Sequence, residues 1–417
     1  MALVGAAGFC LCGGLGVGGL FTFVSGRAKG LPTAAERARG LGLAVSVNDL
    51  KRQVPIEEDA ASHVQRAQAL LERLPAGTLD TNEGLVNRIL SFESTPFERF
   101  RMRALIGESV PVLRELSIAS RLPKRSVAEP EVRWDKRKVT PNETLNYGAQ
   151  LFACQALLAA EGGDLKTVRR AIEHGRGLLP LIEAEPTYLA FQSRAWSEIR
   201  LHRALVRTVQ ANFDRPEAVD LLRDFLSKLG PVPSVRQAVA GDLALALDAI
   251  ARRKGDDLEQ MELAEVFKQM GRTDVIQIFT RTVERMPEDP EDVNAIEQAF
   301  RQMDEEAEDA PVYGGYAKDY RGILYSLKDV LTRRRLARAA LMVIDGIKRG
   351  EVPTSAPADL LDPHSGKPFK LRRDADEVVV YSVGRDTLDD GGLERPPRRV
   401  GVQTRDVVFR IPLPKRR

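Results

Sequence analysis

Cysteine, histidine and aromatic residues are all scarce in this 417-residue chain, which has three cysteines, four histidines and an aromatic content of 6%. Cys10 and Cys12 lie in one apolar N-terminal run, leaving Cys154 alone in the remainder. That excludes an intrachain disulfide framework there, and cysteine usage identifies no compartment. Phe9 and Leu11 precede the two N-terminal cysteines, so neither follows the small-residue pattern of a lipoprotein cleavage site. His63, His174, His202 and His364 each lack the i+3 or i+4 partner that a helical metal site requires. No HExxH, Walker A or GxSxG pattern follows the apolar run.

A dominant charge is also missing, since 62 basic residues face 59 acidic ones. Nucleic-acid binding would then need a local basic stripe. The densest stretch, "RLPKRSVAEPEVRWDKRKV" at 121–139, mixes prolines and acids with its basic residues and reads as a solvated connector spanning 121–140. No nucleic-acid partner is expected.

The strongest positive signal is "ALVGAAGFCLCGGLGVGGLFTFVSG", residues 2–26, which carries no charged side chain. At helical rise it can cross the roughly 30 Å apolar core of a bilayer, so residues 1–26 read as a single transmembrane anchor. Gly14 and Gly18 form a GxxxG pair that would favour self-association. Gly14, Gly16 and Gly19 also have GxGxxG spacing, with Glu36 downstream, but "RAKGLPTAAERARG" supplies no second strand for a dinucleotide fold. Residues 27–54 read as a juxtamembrane linker. Its Arg27, Lys29, Arg37 and Arg39 would hold the bulk of the chain in the cytoplasm by the positive-inside rule. An export-signal reading places the soluble part outside the cytoplasm, and the sequence leaves the orientation open.

From 55 to 330 the apolar periodicity is helical. Leu145, Ala149, Phe152 and Ala156 recur on one face, Gly162-Gly163 break the run, and Asp164 offers an N-cap to a second helix bearing Val168, Ile172 and Leu179. A second hairpin follows at an offset of about 50 residues, longer than the tetratricopeptide period, so a helical-hairpin array or bundle is expected. His202 falls on the apolar stripe with Phe191, Ala195, Ile199 and Val206 and reads as a core histidine with one hydrogen bond. The acidic "MDEEAEDAP" at 303–311 reads as a solvated helix end.

Residues 331–417 form a different unit. An amphipathic helix is expected to turn Leu336, Ala340, Val343, Ile344 and Ile347 inward and Arg334, Arg335, Arg338 and Lys348 outward. Strands follow at Phe369–Arg372, Val378–Val383 and 406–411, giving a small α+β module with a three-stranded antiparallel sheet. The ordered run "DPHSGKPFKL", "VVVYSVGRD", "DDGG" and "RDVVF" resembles the C-terminal half of the major pseudopilin of bacterial type II secretion systems. It also resembles the ending of a group of bacterial membrane-anchored helical proteins of uncharacterised function. The pseudopilin resemblance implies a calcium ion held in the loop after the YSxG strand, with Asp386 and Asp406 on the family's acidic positions. Arg405 stands where a neighbouring acidic residue is usual, the loop is lengthened around Pro396-Pro397, and no GFTLIE-type filament helix opens the chain.

Chemically, Asp386, Asp389, Asp390 and Asp406 with loop carbonyls could supply the oxygens calcium needs, though not as an EF-hand, since Leu388 and Pro397 occupy ligand positions. The competing reading is that aspartate and glycine serve turn geometry. The sequence thus leads to a mostly α chain: a membrane-anchored, non-enzymatic interaction or structural scaffold of the bacterial envelope with protein partners. The alternative is a hydrolase using the acidic loop and His364.

Overall fold

The structure, a computed structural model, describes residues 30–74, 78–90, 94–127, 139–252, 264–309, 320–351, 353–392 and 406–413. The expected transmembrane segment at 2–26 lies outside these residues, as do 128–138 of the basic connector and Arg405 with Pro396-Pro397. Among the described residues, no helix is long and apolar enough to cross a membrane. The chain is mostly helical, with one three-stranded antiparallel sheet. In chain order the helices are α1 (Leu31–Gly40), α2 (Ala61–Leu71), α3 (Thr78–Leu90), α4 (Pro96–Glu108), α5 (Val110–Ala119), α6 (Pro141–Glu161) and α7 (Leu165–Ile182). They continue with α8 (Tyr188–Ala211), α9 (Pro216–Lys228), α10 (Val235–Arg252), α11 (Ala264–Arg285), α12 (Val293–Asp309) and α13 (Arg321–Lys348). Strands β1 (Lys370–Arg373), β2 (Glu377–Ser382) and β3 (Val407–Pro412) follow.

Two compact units result, and their limits depart from the expected boundaries at 54 and 330. One takes the chain up to Lys51 with Pro186–Tyr188 and Val235–Arg321; the other takes Arg52–Glu185, Leu189–Ser234 and Gly322–Arg417. In the first unit α11 packs against α1, α10 and α12. Ala38, Leu43 and Leu50 are buried, so residues 31–51 are part of a core and not a linker. Tyr320 sits among the rings of Tyr188, Phe279 and Phe300, and its hydroxyl donates to Asp242 Oδ2 at 3.0 Å.

The second unit contains both expected hairpins. Thr140 and Glu143 form a reciprocal cap at the start of α6: Glu143 N–H donates to Thr140 Oγ1 at 3.1 Å and Thr140 N–H to the Glu143 carboxylate at 2.8 Å. Asp164 caps α7 as the sequence indicates, accepting from Thr167 N–H at 3.0 Å. The apolar faces of α6 and α7 close on each other and on α5. At that junction a Cβ on Gly177 would overlap the Ser120 carbonyl, so only glycine admits this approach.

In the sheet, β2 is central and antiparallel to both neighbours. Val378 pairs with Ile411 and Val380 with Phe409, and all four are shut off from solvent. They belong to the same hydrophobic core as Leu336, Ala340, Val343 and Ile344 of α13 and the α6–α7 hairpin. Two charged residues read as outward or solvated are in fact buried. Arg334 of α13 is enclosed, and Arg125, in the basic stretch, donates to the Leu181 carbonyl at 2.9 Å and to Asn142 Oδ1 at 2.9 Å. A helix surrounded by neighbours cannot keep a solvent face, and a buried guanidinium must find acceptors.

Candidate functional site

Asp362, the first residue of "DPHSG", organises the C-terminal module. Its carboxylate accepts from four donors: His364 N–H at 3.0 Å, Ser365 Oγ at 3.1 Å, Ser382 Oγ at 2.9 Å and Val383 N–H at 3.4 Å. The first two close an Asx-type turn, and the other two belong to the end of β2. This explains why "DPHSG" and "YSVG" occur together: one carboxylate joins the turn to the strand. The residue was visible within the motif, but its role depends on long-range contacts. Asp362, Ser365, Lys367, Tyr381, Thr387 and Asp389 line a small open cleft beside this hub.

The four expected metal ligands have different surroundings. Asp386 accepts from Leu388 N–H at 3.1 Å within its own turn, next to Thr387, whose φ of 57° is left-handed. Asp389 accepts from Tyr381 Oη at 3.1 Å and from Gly391 N–H at 3.0 Å, and pairs with Lys370. Lys370 above all holds its carboxyl below the usual range, while burial and then Asp389 push the Tyr381 phenol up to about 12. Asp406 is 5% exposed; its Oδ2 accepts from Gly392 N–H at 2.8 Å, but its Oδ1 is buried with no partner. Burial, reinforced by the charges of Asp390 and Asp389, raises its pKa to about 6. Gly391 and Gly392 both take positive φ, and a Cβ on Gly392 would press on the Tyr381 ring.

The fold therefore brings Asp389, Asp390 and Asp406 together, while the Asp386 carboxylate caps its own turn. An orphaned, buried carboxylate oxygen beside two further acids fits either a hard cation or a proton. Among the described residues, no group of three or more His, Cys, Asp or Glu is placed so that it could hold a metal ion. His364 has a different neighbour: its Nε2 lies 3.2 Å from Asp329 Oδ1, and Arg385 Nη2 lies 2.5 Å from Asp329 Oδ2. Burial opposes ionisation of Asp329, yet the bonds from His364 and Arg385 hold its pKa down at about 2.

A second set of charges lies deeper in the same unit. Glu198 of α8 receives Arg334 Nε at 2.5 Å and Nη2 at 2.8 Å, and also pairs with Arg194. Arg334 Nη1 continues to the Gly230 carbonyl at 2.9 Å, which ties α8, α13 and the end of α9 together. Burial alone would favour neutral Glu198; the two guanidiniums outweigh it and hold its pKa near 2. His202, one turn further on, is buried with an edge-on contact to Phe225, and its Nε2 has no partner. The core position is the one the sequence indicates for His202, but the expected hydrogen bond is not found at Nε2. Comparison with known protein families, curated proteins and solved structures finds no match to this chain.

Proposed function

We propose that this chain is a membrane-anchored, non-enzymatic scaffold of the bacterial envelope, whose helical part presents surface to protein partners and whose C-terminal module is pseudopilin-like and stabilised by calcium. The observation that carries this reading is the use of polar groups in that module. Asp362, Asp389 and His364 hold turns, strands and α13, and among the module's described residues the buried acidic oxygen left without a partner is Asp406 Oδ1. Calcium bound by Asp406 and Asp390, with Asp389 beside them, would neutralise carboxylates that now repel one another and fasten the loop after β2 to β3. The apolar run at 2–26 supports the anchor.

The test is calorimetric titration of the full chain in detergent with calcium, together with membrane fractionation. Calcium uptake is expected in the parent and absent in Asp406→Asn, and the chain should stay in membranes through salt and carbonate washes. No heat in the parent would remove the calcium site, and release by carbonate would remove the anchor.

A further inference from the structure

Arg333 differs from the other arginines around it on α13. Arg334 is bound by Glu198 and the Gly230 carbonyl, and Arg335 donates to the Leu361 carbonyl at 3.3 Å. The Arg333 side chain is half-buried, and its Nε is shut off from solvent with no hydrogen-bond partner. The acid set against it is Asp329, one turn back, which is already engaged by His364 and Arg385. Arg203 of α8 and Arg385 of the loop after β2 both act on Arg333 with like charge. His202, next to Arg203 in sequence, has an unpartnered Nε2 and also feels the Arg333 charge. Burial first, then Arg203, push the Arg333 pKa down to about 9.

Three guanidiniums thus gather around one engaged carboxylate where α8, α13 and the Gly384–Thr387 turn meet. A half-buried guanidinium set among like charges, with its Nε lacking an acceptor, is an arrangement that a bound anion relieves, and its planar fork matches an oxyanion. A tetrahedral oxyanion has enough oxygens to accept from several guanidiniums at once, whereas a carboxylate has two. We propose that Arg333, with Arg203 and Arg385, forms a binding site for a phosphate-class oxyanion, with the Arg333 guanidinium as its principal donor. Arg385 shares the loop after β2 with Asp389 and Asp390, but none of the three arginines is among the proposed calcium ligands.

The experiment is a thermal-melt titration of the full chain in detergent with inorganic phosphate, at ionic strength held constant with chloride. A saturable rise in the melting midpoint is expected, with affinity at least about tenfold weaker in Arg333→Met, the loss of one charge-assisted bond. Because Arg333→Met removes a charge set among like charges and keeps an apolar stem, it should melt no lower than the parent without phosphate; should it fail to fold, Arg385→Gln, at a partly exposed position, takes its place. A second arm compares micelles containing phosphatidylglycerol with micelles of phosphatidylcholine. A rise confined to the anionic lipid, and lost in the variant, identifies a headgroup as the source. An unsaturable rise equal in parent and variant is the general stabilising effect of phosphate and overturns the proposal, as does no rise in either arm.

Discussion

His202 and Asp406 show how burial acts on single ionisable residues. His202 is neutral in the fold because burial, and then the charge of Arg333, lower its pKa to about 3 from an ordinary value of 6.5. The unfolded chain therefore binds the proton more tightly. The neutral ring's contribution to stability is complete above the unfolded pKa and is lost as pH falls from about 6.5 towards 3, by at most about 1.4 kcal/mol per pH unit. Its Nε2 has no partner, so His202→Leu leaves no polar group orphaned. Denaturant melts between about pH 4 and pH 7 should show a shallower acid decline in the variant, with stability near neutrality equal or higher. An unchanged slope would mean that His202 is not the group that titrates. Asp406 is the opposite case, a buried acid held towards its protonated form unless a cation intervenes.

At the scale of elements, two glycines in the second unit separate backbone from side-chain constraint. A Cβ on Gly177 would collide with the main-chain carbonyl of Ser120, which is fixed at the end of α5. A Cβ on Gly148 would collide with the Leu116 side chain, which can rotate away. Gly177→Ala should therefore destabilise by about 2–3 kcal/mol. Gly148→Ala should cost less than about 1 kcal/mol, because alanine's helix propensity offsets part of the repacking. Equal losses in chemical denaturation would contradict this ranking. The helical hairpins and three strands were legible from spacing and turn residues, since those are local preferences. The burial of Arg334 was not, because its partner Glu198 lies on another helix, far away in sequence.

At the scale of the whole chain, the C-terminal module is not independent of the helices that precede it. Helix α13 is buried at Leu331, Thr332, Arg334, Leu336, Ala337 and Ala339, positions that point around most of its circumference. The strands and the α6–α7 hairpin share one core with it. A fragment of residues 331–417 would expose that apolar surface and leave Arg334 without Glu198. It should show narrow amide dispersion and no cooperative unfolding transition; a well-dispersed, cooperatively melting fragment would show that the module folds alone. Calcium binding is for this reason tested on the full chain.

The sequence alone determined the helical hairpins of 141–228, the helix and three strands of the C-terminal module, and the cap at Asp164, because these depend on neighbours within a few residues. It also brought Asp389, Asp390 and Asp406 forward as acids worth testing. Tertiary structure decided the rest: Asp362 as the hub of the turn and β2, the use of Asp386 in its own turn, the orphaned oxygen of Asp406, and the Arg333 Nε left without a partner. It also decided where the two units divide. Each of these depends on which distant side chains fill the space around a polar group, and local spacing along the chain carries no record of that.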